Sequence, residues 1–293
     1  MRQIWHDIAH AIAKATSQPF VSIDSQPIGG GCINETYIVH MDGQHWFVKL
    51  NSIDKLDMFE AEMEGLSILN SAHALRVPEP LICGSTETHS YLIMEAITAG
   101  SSAKAMRVAG EQLAALHHSI QPRFGHQRDN YIGATEQINT VESDWLTFWR
   151  EHRLGYQLKL AHKKGLSDTS MALGEQLIDA LPHFLDHSPK ASLLHGDLWG
   201  GNIMTDQYGM PVIYDPAIYY GDRETDLAMT YLFGGFTADF YQAYQANYAL
   251  TDGHEVRRTL YNLYHILNHF NLFGGSYDQQ AHRMMQSLLS EVR

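Results

Sequence analysis

Cysteine is scarce in this chain: its 293 residues include only Cys32 and Cys83. Two thiols cannot build the disulfide framework of a small secreted scaffold, so reduced thiols in a cytoplasm are expected. Long apolar runs are missing as well, and no stretch approaches the ~20 residues that a membrane-spanning helix needs. The start, Met1 to Ala9, reads as an amphipathic helix without a signal-peptide core. Basic side chains are outnumbered, 20 Lys and Arg against 33 Asp and Glu, and the formal net charge of −13 argues against nucleic acid or an anionic membrane as partner. Histidine is plentiful at 18, yet none falls in an H-E-x-x-H or a cysteine–histidine cluster, so a zinc site has no support. There is no internal repeat, low-complexity tract or long charged linker. At 44% hydrophobic composition the chain can bury a large core, as one domain or as two lobes.

The most informative stretch runs from Leu193 to Met204, with Leu193-Leu194-His195-Gly196-Asp197-Leu198-Trp199-Gly200-Gly201-Asn202, followed by Val212-Ile213-Tyr214-Asp215-Pro216-Ala217. Alone, His-Gly-Asp is a polar turn. Here Asp197 stands five residues before Asn202 on a loop between apolar runs, and the next apolar run ends in a second acid, Asp215. Phosphoryl transfer needs a carboxylate to orient and deprotonate the attacking hydroxyl, and oxygen ligands to hold magnesium on the nucleotide phosphates. Magnesium keeps several waters, so one Asp and one Asn suffice. The spacing casts Asp197 as the base and Asn202 and Asp215 as metal ligands.

The first hundred residues supply the matching small lobe. Ile28 to Val39 reads as strand, glycine turn, strand, with Gly29, Gly30 and Gly31 permitting backbone close to phosphate; taken alone this is an ordinary hairpin. His45 to Leu50 is an apolar strand that carries Lys49 near its end. In the helix that follows, Phe59, Met63, Leu66 and Leu69 trace one face, and Glu62 falls on it, while Glu60 and Glu64 point outward. A buried acid demands a partner, and Lys49 is the natural one, giving the pair that positions α- and β-phosphates. Val77-Pro78-Glu79-Pro80 breaks the helix. Tyr91 to Ile97 is then a buried strand running into polar residues, and the backbone of Glu95, Ala96 and Ile97 would face the adenine edge; a plain edge strand is the simpler reading of that segment by itself.

Beyond position 97 the pattern is mostly helical: Ser102–Ser119, Trp145–Ala161, Asp168–Leu185, Asp222–Phe233, a run from Tyr261 and a last helix over Gln279–Val292. A mainly β start and mainly α remainder predict an α+β, bilobal architecture, with a nucleotide-binding lobe over residues 1–97 and a catalytic, substrate-binding lobe over 98–293, and an active site in the cleft between them.

Together, Gly29 to Glu35, the Phe59-to-Glu62 helix start, His195-Gly196-Asp197-Leu198-Trp199-x-Gly201-Asn202, Asp215-Pro216-Ala217, Gly221 to Met229 and Leu267 to Gly275 resemble the fructosamine kinase (ketosamine-3-kinase) family over nearly the whole chain. The resemblance implies a protein-kinase-like fold related to aminoglycoside and choline kinases. It also implies ATP-dependent phosphorylation, with Mg2+, of the 3-hydroxyl of a glycated amine, after which the 3-phosphate eliminates and releases the amine. Carried onto matching positions, it makes Asp197 the base, Asn202 and Asp215 the magnesium ligands, Lys49 and Glu62 the phosphate-positioning pair, and Glu95 to Ile97 the adenine hinge.

Other features bear on the substrate. Gly196 stands where protein kinases carry an arginine that pairs with activation-loop phosphate, and only four residues separate Ala217 from Asp222, leaving no room for a peptide platform. A small or protruding substrate is therefore expected. Asp222, Glu224 and Asp226 add negative charge suited to an amine; Asp222 and Glu224 equally read as caps of the helix that begins there. Trp199 either stacks on the substrate or wedges into the core. His269 interrupts an apolar helix face; it would ordinarily be a satisfied core histidine, and the family match makes it equally a pocket residue. Arg223 reads as structural. Cys32, at the tip of the glycine turn, is either an inert turn residue or an oxidisable thiol able to link two chains, so the state expected is monomer or redox-linked dimer. Two rivals stand beside this reading: another small-molecule kinase, acting on choline, an aminoglycoside or another sugar, and a silent pseudokinase, against which the retention of all five site residues argues.

Overall fold

The computed structural model describes residues 2–20, 22–29 and 33–292. Gly30, Gly31 and Cys32 lie outside the described residues, and with them the tip of the glycine turn and the redox expectation on Cys32. In chain order the elements are α1 (Arg2–Thr16), β1 (Ile23–Ile28), β2 (Glu35–Met41), β3 (Gln44–Ser52), α2 (Leu56–Ser71), β4 (Pro80–Ser85), β5 (His89–Glu95), α3 (Ala105–His117), β6 (Ile120–Gln121), β7 (Asn130–Ile132) and β8 (Thr135–Gln137). There follow α4 (Trp145–Phe148), a π-helical stretch (Trp149–Leu154), α5 (Gly155–Lys163), α6 (Asp168–Phe184), β9 (Ala191–Leu194), β10 (Ile203–Thr205), β11 (Pro211–Ile213), β12 (Tyr219–Gly221), α7 (Glu224–Leu232), α8 (Ala238–Asn247), α9 (His254–Phe273) and α10 (Tyr277–Glu291). No helix of the described residues is long and apolar enough to cross a membrane. The chain groups into two compact units, residues 1–105 with 204–214, and residues 106–203 with 215–293.

The first unit is built on a five-stranded antiparallel sheet ordered β1-β2-β3-β5-β4. Side chains alternate across a strand, so Val39 and Met41, Val48 and Leu50, and Tyr91 and Ile93 share one face. That face is closed by Ile8, Ala9 and Ile12, one stripe of α1. Lys49 and Leu92 take the opposite parity, and α2 packs on β4 and β5. The β10–β11 hairpin joins this unit through Arg76: the Ile213 N–H donates to the Arg76 carbonyl at 3.0 Å, and the Gly100 N–H to that of Thr205 at 2.8 Å. A side chain at Gly100 would meet the Asp206 carbonyl oxygen at 2.3 Å, so glycine is required there.

The second unit packs α9 at its centre, with Leu260, Tyr261, Leu263, Tyr264, Ile266 and Leu267 all buried in one core with Trp145, Phe148 and Trp149. Within the π-helical stretch, Arg153 is fully buried; its guanidinium lies 4.0 Å over the Tyr219 ring and donates to Asn139 Oδ1 at 2.7 Å. A small antiparallel sheet ordered β12-β9-β6 carries the central loop. β12 fills the interval between Ala217 and Asp222, pairing Tyr219 with Leu194, so the short connection read from the sequence is a strand.

Candidate active site

The loop from His195 to Asn202 joins β9 to β10, and its main chain is pinned from below. The His195 and Gly196 N–H groups donate to the two carboxylate oxygens of Asp226, at 2.7 and 2.8 Å. The Asp197 N–H donates to His195 Nδ1 at 3.2 Å, which makes Nδ1 the acceptor nitrogen of that buried ring. Gly196 has φ +84°, and a Cβ there would stand 2.0 Å from the Ala217 carbonyl oxygen. Only glycine fits. This close approach, with the Ala217 N–H donating to the His195 carbonyl at 2.8 Å, sets the segment after Asp215 beside the Asp197 loop. Asn202 Nδ2 donates to the Asp197 carbonyl at 2.8 Å and to its Oδ2 at 3.2 Å.

The three predicted oxygen donors of this unit are thereby brought together. Burial, and next the Asp215 carboxylate, push the Asp197 carboxyl up to about 7, against the opposing pull of the Asn202 amide. Asp215 is exposed and left-handed, with φ +58°. Asn202 has its nitrogen committed to Asp197, which leaves its amide oxygen as the acceptor. Two neighbouring carboxylates and an amide oxygen are a donor set that suits a hard divalent cation such as magnesium.

The acids expected to draw a substrate amine do not serve that purpose. Asp222, Glu224 and Asp226 are all buried. Asp222 accepts from Tyr261 at 2.6 Å and the Glu224 N–H at 3.0 Å, and pairs with His187 at 2.7 Å. Glu224 is clamped by Arg257 through Nε at 2.7 Å and Nη2 at 3.0 Å. Asp226 holds the loop amides and faces His117 at 3.2 Å. Burial alone would raise Asp226, but the His117 hydrogen bond and nearby charge keep it below the usual carboxylate range. Arg223 is structural as expected, stacked 3.7 Å from the Tyr248 ring and donating to Tyr244 Oη at 3.0 Å.

Trp199 is not wedged into the core. It is 37% exposed and meets Phe233 edge-on at 5.8 Å between centroids; Phe233 in turn lies 5.0 Å from the His269 ring. The two sequence-predicted substrate residues are thus joined through Phe233, which follows α7 directly and which sequence reasoning missed. His269 Nδ1 donates to the His265 carbonyl at 2.8 Å, and burial lowers its pKa, so the neutral ring keeps Nε2 as acceptor. The Trp199 indole covers Gly201, where a Cβ would meet it at 2.3 Å.

In the first unit, Lys49 Nζ and Glu62 Oε1 pair at 2.5 Å, both nearly buried, as the helix-face argument required. Glu60 is exposed, whereas Glu64 is half-buried rather than fully outward. Among the described residues, no protein atom beyond its chain neighbours lies within 4 Å of a Cβ built on Gly29. The Glu95 carboxylate is taken up by Arg76 at 2.6 Å and the Glu79 N–H at 3.3 Å, and its own N–H by the Glu79 carbonyl. A recess of about 430 Å³ is lined by Trp46, Arg76, Tyr208 and the three predicted hinge residues Glu95, Ala96 and Ile97.

A sheet unit with a buried lysine–glutamate pair and a helical unit whose central loop groups two carboxylates with an amide have the protein-kinase-like fold, and the class is a kinase, a phosphotransferase to an alcohol group. The fructosamine kinase family model matches residues 4–291, and the chain belongs to that family. It is 45% identical over 288 residues to a probable ketoamine kinase of Synechocystis, covering 97% of each chain. It is 42% identical over 270 residues to the chloroplastic protein-ribulosamine 3-kinase of Arabidopsis thaliana, covering 91% of this chain and 82% of the other. A crystal structure from Haemophilus somnus, named for a fructosamine-3-kinase, superposes with a TM-score of 0.90 at 29% identity, covering 97% of both chains. The activity is accordingly phosphorylation of ketosamines, the sugar–amine adducts of glycation.

Proposed function

We propose that the chain uses ATP and Mg2+ to phosphorylate the 3-hydroxyl of fructosamine- or ribulosamine-type adducts, on small amines or on protein, as a repair step in a reducing cytoplasm. The observation that carries this reading is the grouping of Asp197, Asn202 and Asp215, with Asp197 crowded by the Asp215 carboxylate. Asp197 orients the sugar hydroxyl and accepts its proton as the oxygen attacks the γ-phosphorus, whose bond to the β–γ bridging oxygen breaks and releases ADP. The Asn202 amide oxygen and the Asp215 carboxylate hold Mg2+. When bound, the ion neutralises charge on the phosphates and withdraws electron density from them. Residues 1–97 act as the nucleotide-binding lobe: Lys49, steadied by Glu62, positions the α- and β-phosphates, the glycines Gly29, Gly30 and Gly31 serve phosphate binding, and the backbone of Glu95, Ala96 and Ile97 meets adenine. Residues 98–293 act as the catalytic and substrate-binding lobe. Trp199, Phe233 and the neutral His269 receive the ketosamine. The 3-phosphate then eliminates spontaneously and frees the amine.

An ADP-release screen over fructosamines, ribulosamines and erythrulosamines, with Asp197→Asn as blank, tests the proposal. ADP formed with ketosamines and not with choline or aminoglycosides is expected; the reverse preference overturns it. For Cys32, equal oxidant sensitivity of wild type and Cys32→Ser ends the redox-linked dimer in favour of a monomer.

A further inference from the structure

The short hairpin β7–β8 and the residues just after it put three amide side chains, Asn130, Gln137 and Asn139, into the core, each at most 6% exposed. Buried amides are costly unless bonded, so their partners disclose their use. Asn130 and Gln137 face each other across the hairpin, and Gln137 Nε2 donates to Asn130 Oδ1 at 2.9 Å. Their remaining donors go to main chain: Gln137 Nε2 to the Ala217 carbonyl at 3.0 Å, and Asn130 Nδ2 to the Ile218 carbonyl at 2.7 Å. Those carbonyls belong to the segment directly after Asp215. The pair is itself held from behind, by Tyr264 Oη donating to Gln137 Oε1 at 2.7 Å and by Asn139, which donates to Asn130 Oδ1 at 2.9 Å and accepts from the buried Arg153 at 2.7 Å.

Asp215 needs such support. A non-glycine residue at φ +58° is uncommon and persists where its surroundings over-determine it. Pro216, next in the chain, has no N–H with which to anchor the turn. We propose that Gln137 and Asn130 are positioning residues for the metal-binding aspartate: they fix the backbone after Asp215 so that its left-handed turn, and the direction of its carboxylate, are set before the metal nucleotide arrives. This rests on the reading of Asp215 as a metal ligand.

The test is Mn2+ binding in the presence of ADP, followed by electron paramagnetic resonance, in wild type, Gln137→Met, Asp215→Asn and Asn271→Leu. Asn271 is a buried amide of the same unit whose donor serves only Gln157, so Asn271→Leu reports general loosening. Gln137→Met is expected to weaken Mn2+ binding about tenfold, the low end for loss of an orienting partner, with metal-free ADP affinity unchanged. Asn271→Leu is expected to lower the melting temperature and leave Mn2+ affinity alone. Wild-type Mn2+ affinity in Gln137→Met, or equal weakening in Asn271→Leu, overturns the inference. If Gln137→Met does not fold, Tyr264→Phe removes only the hydroxyl behind Gln137; a smaller weakening supports the assignment and wild-type affinity sinks it. Wild-type affinity in Asp215→Asn overturns the metal reading of Asp215 itself, and the inference with it, whereas weakening there beside an unaffected Gln137→Met overturns the inference alone.

Discussion

As the proposed base, Asp197 must be ionised when the sugar hydroxyl arrives, yet burial and the Asp215 carboxylate hold it near 7. A base works only when deprotonated, so kcat/KM for the ketosamine falls as pH drops below that value. A divalent cation on Asp215 cancels the repulsion, and the acid limb therefore moves to lower pH as Mg2+ is raised from limiting to saturating. Rate profiles at two Mg2+ concentrations read this directly; a limb that stays in place separates the two carboxylates. Gly201 makes a second residue-scale case. Its missing side chain is what lets the Trp199 ring lie down, so Gly201→Ala displaces an exposed ring rather than breaking a core. The ketosamine KM is expected to rise about tenfold, about 1.4 kcal/mol, with the ATP KM unchanged. Steady-state kinetics with each substrate varied in turn decide it.

Helix α7 works as an anchor. Its Asp226 receives two consecutive loop amides, so Asp226→Asn sets an NH2 group against one of them. A buried donor left unsatisfied costs about 1–3 kcal/mol. Lower stability in denaturant is expected together with a loss of kcat exceeding any change in KM, because the loop that carries the base is freed; unchanged kcat would show that the loop holds its shape unaided. This anchoring was not legible in the sequence. Asp222, Glu224 and Asp226 follow one another as surface acids would, and only the fold reveals that Arg257, 33 residues beyond Glu224, and His117, 109 residues before Asp226, take up their charge. The helices from 102 to 292 were legible from apolar spacing, apart from the first seven residues of α9, which begins at His254 rather than Tyr261, and α8, whose buried set is only Phe240, Ala243 and Tyr244. Two- and three-residue strands such as β6, β7 and β8 are too short for an alternating pattern to declare itself. Lys49 and Glu62 were legible because one charged residue on an apolar helix face poses its own question. Phe233 was not, since an aromatic after a helix end carries no signal until Trp199 and His269 are seen on either side.

At the scale of the whole molecule, the fold and catalytic loop stood in the sequence as spacing, while the grouping of residues 204–214 with the first unit did not. That grouping arises from Arg76, whose carbonyl accepts from Ile213 and whose guanidinium lies 3.6 Å from Asp206. Stability should depend on pH through buried histidines. Burial lowers His265 from 6.5 to about 3 and lowers His117 and His269 as well. The unfolded chain then binds protons that the native state refuses, so stability is full above the unfolded value of about 6.5 and is lost as pH falls. Between pH 6.5 and 5, His265 alone accounts for about 2 kcal/mol. Urea unfolding at the two pH values measures this, and His265→Phe, where it folds, should flatten the slope; an unchanged slope would assign the acid sensitivity elsewhere.

The central claim is that Asp197 is the base and that neighbouring donors hold the metal nucleotide. The most direct measurement is turnover and Mn·ADP affinity side by side in Asp197→Asn. Turnover is expected to fall by about 10²–10⁴, the range for a positioned general base, with nucleotide affinity largely kept. Turnover close to wild type in that variant would contradict the account.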